Sequence, residues 1–195
     1  FYLLLFMNKN KVFLITFCFF ITIFLLLLSY KIALGTTELT ENQDATIKSL
    51  VDNENLELNY TTNEQSHLED VKKVMNGLDY LFYLSLLVVT FIITIYKKKK
   101  DVIKKLFYYG GISSLIFSGI IMLFSLLSFN FTFKIFHKIL FPQGNWLFPV
   151  DSLLIQTFPI QFFVTISLKI MVIAIIIAAT MITVSKRIKK QEAEQ

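Results

Sequence analysis

Two histidines, His67 and His137, are the residues in this chain best suited to proton chemistry near neutral pH. An imidazole with an ordinary pKa near ~6.5 can take a proton, give one, or ligate a metal. Asp70 follows His67 by three residues, so a helix there puts carboxylate and imidazole on one face. Two imidazoles and a carboxylate suit acyl transfer, proton relay or metal ligation, and spacing alone does not choose among them. Against all three stands a plainer reading, in which each ring is a structural residue on an apolar helix face. The single cysteine, Cys18, lies inside an apolar run, which excludes an intrachain disulfide and CxxC zinc or redox chemistry. Lys169 is the other residue out of place, about ten residues into an apolar stretch. Snorkelling or pairing within a bundle is the expected use of such a charge, with contact to a lipid in a cavity as the sharper alternative.

The elements that must position these residues are legible from composition. Of the 195 residues 55% are hydrophobic, and the charges sit in blocks rather than mixed along the chain. Four stretches, Val12 to Leu34, Tyr80 to Tyr96, Phe107 to about Leu127 and Ile160 to Val184, reach or approach the ~18 residues that span a bilayer. Backbone polar groups in lipid must be satisfied within the segment, so these are helices. The fold class expected is an all-α membrane protein, a four-helix transmembrane bundle occupying residues 12–184 with a small extracytoplasmic cap. Residues before Met7 read as a leader or alternative start. Ala33-Leu34-Gly35 resembles a cleavage site, but the apolar run before it exceeds the ~7–15 residues of a signal peptide, so an uncleaved span is expected. Gly110, Ser114 and Ser118 in the third span, and Ala174 and Ala178 in the fourth, are spaced for close helix approach.

Lysine and arginine set the orientation. Lys9 and Lys11 precede the first span, six lysines (Lys97–Lys100, Lys104, Lys105) lie between the second and third, and Lys186, Arg187, Lys189 and Lys190 follow the fourth. The net charge of +5 therefore reflects membrane anchoring and does not point to nucleic acid. The segment 35–79 carries ten acidic residues against Lys48, Lys72 and Lys73. Both termini are expected in the cytoplasm of a plasma-membrane protein, with segments 35–79 and 128–159 outside.

Within the first outer segment, Gly35 to Asn55 reads as a solvated loop and Leu56–Tyr60 alternates as one short strand would. Thr61 to Glu64 has capping-box spacing, so a helix starts there, and Gly77 is the expected stop. His67, Val71, Val74 and Leu78 share one face of that helix. In the second segment, Phe129, Phe133, Phe136, His137 and Leu140 form an apolar face, with Asn130, Lys134 and Lys138 as a polar stripe. That pattern describes an amphipathic helix in the outer interface, its lysine heads toward lipid phosphates. Trp146 fits the interfacial aromatic belt.

At these residues the chain resembles the lipoprotein intramolecular transacylases. Ser66-His67-Leu68-Glu69-Asp70-Val71-Lys72 is similar to that family's His-x-x-Asp-Val-Lys element. Phe136-His137-Lys138, followed by Trp146-Leu147-Phe148, Asp151-Ser152-Leu153-Leu154-Ile155 and Phe158-Pro159-Ile160-Gln161-Phe162-Phe163, is similar to its second element. The order of elements, two outer loops and four spans match as well. The resemblance implies an enzyme that moves the sn-2 acyl chain of a diacylglyceryl lipoprotein onto the α-amine of its N-terminal cysteine. It implies His67 and His137 as the catalytic pair, with no metal and no cofactor. Supporting roles would fall to Asp70, which would fix the His67 tautomer, and to Lys72, Trp146 and Asp151; Lys134 and Lys138 would meet lipid headgroups. The expected partners are diacylglyceryl-modified lipoproteins and the phospholipid bilayer.

Two other classes remain open at this point. A metal- or haem-binding membrane protein would use the same histidines, although zinc wants three or four protein ligands and only acidic residues are at hand to complete a set. A non-catalytic membrane subunit would use the acidic segment Gly35–Asn55 as a contact surface.

Overall fold

The computed structural model describes residues 9–52 and 58–188. The residues before Met7, Leu56 and Glu57 of the expected strand, and Lys189 and Lys190 lie outside the described residues; Leu58 to Tyr60 are not a strand. Seven helices follow in chain order: α1 (Lys9–Gly35), α2 (Glu41–Val51), α3 (Thr62–Tyr96), α4 (Lys100–Leu127), α5 (Phe129–Leu140), α6 (Leu153–Thr157) and α7 (Ile160–Arg187). Four of them, α1, α3, α4 and α7, are long and apolar enough to cross a membrane.

The bundle is built on α1, which packs against α3, α4 and α7, while α4 and α7 share the most extensive contact. Phe17, Ile21 and Leu25 of α1 meet Val89, Ile92 and Tyr96 of α3, Leu106 of α4, and Ala178 and Met181 of α7. Lipid is as apolar as these side chains, so burial alone gives little drive and close packing must supply it. The small residues serve that end. A Cβ on Gly110 would stand 2.8 Å from Phe17 Cε1, and one on Gly111 2.7 Å from Ile182 Cγ1 and 2.8 Å from the Ala178 carbonyl. Thr22 adds polar stitching, its hydroxyl 3.2 Å from Ser113 Oγ and 3.1 Å from Ser114 Oγ.

Two further expectations are corrected in the segment between the first two spans. Helix α3 does not stop at Gly77; it runs 35 residues from Thr62 to Tyr96. A glycine ends a helix by taking a left-handed conformation. Among the described glycines only Gly144 has positive φ, so Gly77 is an interior helical residue at a cost of ~1 kcal/mol. At ~1.5 Å per residue α3 is ~52 Å long, which exceeds a hydrocarbon core of ~30 Å. Its polar first half, with His67, therefore stands clear of the apolar Tyr80–Tyr96 part. The second correction is α2, a helix over Glu41–Val51 within the loop expected at Gly35–Asn55. Thr40 and Gln43 form a reciprocal capping box at its start, and Asp44 pairs with Lys48 at 2.7 Å. Its composition is so polar that no apolar stripe announces it; the face it buries is Gln43, Thr46, Ser49 and Leu50.

The cap is held together by hydrogen bonds from that face. Gln43 Nε2 donates to the Thr157 carbonyl at 2.8 Å, and the Thr46 hydroxyl meets the Tyr60 hydroxyl at 2.9 Å. Leu50, Tyr60, Leu68 and Leu154 form the small apolar core beneath. Glu64 is 1% exposed and accepts from Leu154 N at 2.8 Å while its other oxygen caps α3 at Thr61 N. Lys169 does pair within the bundle: Nζ donates to the Thr36 carbonyl at 2.9 Å and to Thr37 Oγ1 at 3.1 Å, at the C-terminal end of α1. A cation suits that negative end of the helix dipole.

Candidate active site

His67 sits in the second turn of α3, one turn beyond the Thr61–Glu64 cap that fixes where the helix begins. His137 comes from α5, which turns off the end of α4 at Ser128 and packs against it. Phe133 of α5 stacks near Phe163 of α7, ring centroids 5.1 Å apart, and this seats the face that carries His137. The two histidine rings meet with centroids 6.4 Å apart and planes 25° from parallel. Both are buried, His67 at 7% and His137 at 8% exposed.

Aromatic rings close around them. Phe141 lies 4.8 Å from His67 and 5.6 Å from His137, Phe148 is 5.6 Å from His67, and Trp146 is 5.2 Å from His137. Trp146, expected in the interfacial belt, is thus also a wall of the histidine site. Burial is the leading cause that pushes the His67 pKa down to about 4, with the neighbouring His137 adding to it; Asn145 and Asp70 act in the opposite direction. Burial also lowers His137, opposed by its hydrogen bond to the Phe133 carbonyl at 2.9 Å. Both rings are accordingly neutral at physiological pH, and each offers a lone pair.

The supporting residues divide. Asp70 is beside His67 on α3, but its hydrogen bonds go elsewhere: it accepts from Lys73 Nζ at 2.9 Å, Gln143 Nε2 at 2.7 Å and Asn145 Nδ2 at 2.9 Å. These bonds hold its carboxyl down to about 2. Asp70 therefore clasps the loop after α5 to α3 and does not touch the imidazole directly. Gly144, at φ 83°, lies between the two amides and supplies the left-handed turn that lets both converge on one carboxylate. Lys72 reaches the Ser49 carbonyl of α2 at 3.4 Å. Asp151 is exposed just before α6, where its main-chain oxygen accepts from Gln156, and it is not among the groups around the histidines. Lys134 and Lys138 are exposed on α5, as a headgroup contact requires.

The opposite side of α5 differs from the expected polar stripe alone. Phe131, Ile135, Phe136 and Ile139 are all exposed, so the helix is apolar toward the bundle and apolar away from it. Gln143, Asn145, Glu64 and Gly144 were not singled out from sequence as site residues. A glycine flanked by two amides is the signal that marks the clasp in retrospect. Among the described residues no three His, Cys, Asp or Glu side chains gather closely enough to hold a metal ion.

Comparison with known proteins bears on this geometry. The family model described as lipoprotein intramolecular transacylase Lit matches residues 1–163. The membrane-integral lipoprotein intramolecular transacylase Lit from Bacillus cereus has a similar structure, with a TM-score of 0.81 at 19% identity over 92% of this chain and 95% of that one. Two structures of that protein with a histidine replaced by arginine or by alanine each give a TM-score of 0.76 at 19% identity, again over 92% of this chain. They cover 91% and 93% of those chains respectively. No curated protein matches the sequence. At that identity the structures establish the fold, a four-span helical membrane protein; the family match carries the activity, and the chain belongs to the lipoprotein intramolecular transacylases.

Proposed function

We propose that this transacylase moves the sn-2 acyl chain of a diacylglyceryl lipoprotein to the α-amine of its N-terminal cysteine, with His67 and His137 as the acid–base pair. The observation that carries the reading is two buried, neutral imidazoles with ring centroids 6.4 Å apart, contributed by different helices. Amine and ester belong to one molecule, and such proximity is worth ~7–11 kcal/mol of barrier in well-oriented cases. No serine or cysteine nucleophile is then needed.

What remains is proton traffic. The cysteine α-ammonium gives one proton to the first imidazole and becomes nucleophilic. Its nitrogen attacks the sn-2 carbonyl, and the second imidazole takes the next proton from that nitrogen. The first ring returns its proton to the departing glyceryl oxygen as the C–O bond breaks, and the second releases its own to water. The ester becomes an amide and the enzyme is unchanged. General acid–base steps of this kind contribute ~10²–10⁴ in rate.

The site stands at the end of the bundle where α3 begins, opposite the lysine-rich turn at Lys97–Lys100 where α3 ends. Positive charge favours the cytoplasm, so both termini lie inside and the site faces out. Mass spectrometry of a lipoprotein N-terminus from a host with diacylated lipoproteins, with and without the enzyme, tests the chemistry. Appearance of the N-acyl, S-monoacylglyceryl form is expected; unchanged diacylglyceryl lipoprotein would sink the proposal. For orientation, Asp44→Cys should label from outside whole cells and Lys98→Cys should not, both in a Cys18→Ala background.

A further inference from the structure

We infer that Asn145 is the positioning residue of His67, its side-chain oxygen accepting the Nδ1 proton so that Nε2 is left as the reactive nitrogen. The inference rests on the role proposed above for His67 and adds the residue that prepares it. His67 Nδ1 and Asn145 Oδ1 are both buried and neither has a hydrogen-bond partner. One is a donor in the Nδ1–H tautomer, the other can only accept. Each buried polar atom left alone costs ~1–3 kcal/mol; the Asn145 side chain already acts on the His67 ring as a hydrogen-bonding neighbour, and a rotation that joins the two atoms relieves both.

The direction of the amide is dictated by its other end. Asn145 Nδ2 donates to Asp70 Oδ2 at 2.9 Å, and an ionised carboxylate only accepts, so the NH₂ end must face Asp70 and the oxygen must face away. Gln143 donates to the same carboxylate oxygen at 2.7 Å, and the left-handed Gly144 between them fixes the turn. Asp70 thus acts on the imidazole through an amide. His137 reaches the same tautomer by another device: its Nδ1 lies 2.9 Å from the Phe133 carbonyl, which accepts only, so the proton sits on Nδ1. A backbone carbonyl inside a helix is fixed by the helix; an amide on a loop is fixed only while the Asp70 clasp holds. The titratable groups that act on His67 are His137 from α5 and Asp70 from its own helix, and Asn145 stands with Asp70 in favouring the protonated ring.

The test uses the full chain in detergent, labelled at histidine with heavy nitrogen; with two histidines in the sequence the nitrogen spectrum is simple to assign. The native His67 should show one tautomer, protonated on Nδ1. N145L, close in size but without the acceptor, should give a tautomer mixture and lose roughly tenfold or more in kcat on a diacylglyceryl lipopeptide, with KM unchanged. The double variant D70N/N145D keeps the bond between positions 70 and 145 with donor and acceptor exchanged, Gln143 turning its amide oxygen to the new NH₂, and moves the carboxylate next to the ring. An opposite charge at that range raises a pKa by ~1–3 units, so the acid limb of the rate profile should move up by that much. An unchanged His67 tautomer in N145L, or an unmoved acid limb in folded D70N/N145D, would overturn the assignment of Asn145. H67A activity tests the catalytic reading alone, and the nitrogen spectrum of N145L tests the Asn145 contact alone, so the two fail separately.

Discussion

In the bundle, Gly110 and Gly111 have ordinary helical backbones and no room, with side-chain and backbone atoms within 3 Å of where a Cβ would stand. In the cap, a Cβ on Gly144 would meet nothing within 4 Å, but the backbone stands at φ 83°, which other residues resist. The contrast extends beyond glycine. The bundle is held by contact between apolar surfaces, with hydroxyls such as Thr22 and Ser114 satisfied at close range. The cap is held by directed polar bonds over a small apolar core: Glu64 to Leu154, Gln43 to Thr157, Asp70 to Gln143 and Asn145. A scaffold in lipid can be rigid through shape alone, whereas the polar cap uses bonds that water and charge can modulate.

If that division is right, the largest single effects should be chemical and confined to the cap. His67→Ala and His137→Ala should each cost ~10²–10⁴ in rate while the protein still inserts and melts as the parent does. Product formation by mass spectrometry, alongside a detergent melt, checks both halves. Retention of full activity by either variant would remove the histidine pair from the mechanism.

The next effect belongs to the bundle and should be steric. Gly111→Leu drives a side chain into the Ala178 carbonyl and Ile182, and overpacking of this kind costs ~1–3 kcal/mol. Thermal stability in detergent should fall while any folded fraction keeps its normal KM. A neutral result would mean that α4 and α7 pack less tightly than the distances indicate.

Acid should separate the two regions. The folded His67 pKa of about 4 lies below the ordinary histidine value, so the unfolded cap takes up a proton that the folded cap refuses. Stability from this source is complete above ~6.5 and falls as the pH drops toward about 4. Burial opposes ionisation of Glu64, but hydrogen bonds from Leu154 N, Thr61 N and the Thr61 hydroxyl outweigh it and lower its pKa. That contribution is present above the ordinary glutamate range and is lost as pH falls through the lowered value, so the cap loosens further. Hydrogen exchange should show α2 and the 141–152 loop opening in acid before the α1–α4 contact does. Simultaneous opening would contradict the comparison.

Smaller still is the backbone term. Gly144→Ala should destabilise the loop by ~1–2 kcal/mol through its left-handed conformation, and Gly144→Asn should recover part of that because asparagine tolerates the region. Equal losses for alanine and asparagine would mean that space, not φ, is the constraint. Cys18→Ala should change nothing measurable, since a thiol in the first span has no base to activate it.

The sequence carries the bundle well, because ~20-residue apolar runs and lysine blocks are strong signals whose physics is simple. The approach of His67 to His137 follows from faces readable in the pattern, although their distance does not. The polar cap is harder. Thr40 and Gln43 have the same capping-box spacing as Thr61 and Glu64, yet the helix they begin buries Gln43, Thr46 and Ser49, which no hydrophobic period reveals. Gly77 has the composition of a stop, but the conformation that makes a glycine a stop is not written in its identity. Asp70 stands one turn from His67, and its carboxylate accepts from two amides that lie more than seventy residues away, a link the helix spacing does not contain. Tertiary partners of short polar side chains depend on loop geometry, which Gly144 sets and no periodicity encodes.

Lys169 has a bearing on how the protein is made. Its partners, Thr36 and Thr37, leave the ribosome before the second span exists, whereas Lys169 arrives with the last one. The Thr157 carbonyl that receives Gln43, at the end of α6, also comes just before that last span. Thr36 and Thr37 satisfy the last carbonyls of the first helix locally, so what waits for the fourth span and its ammonium is the Thr36 carbonyl just beyond it. Biogenesis ends in a closing step rather than growing outward from a finished N-terminal half, and a nascent chain arrested before Ile160 would carry both histidines without the fastening that lets the cap settle over them.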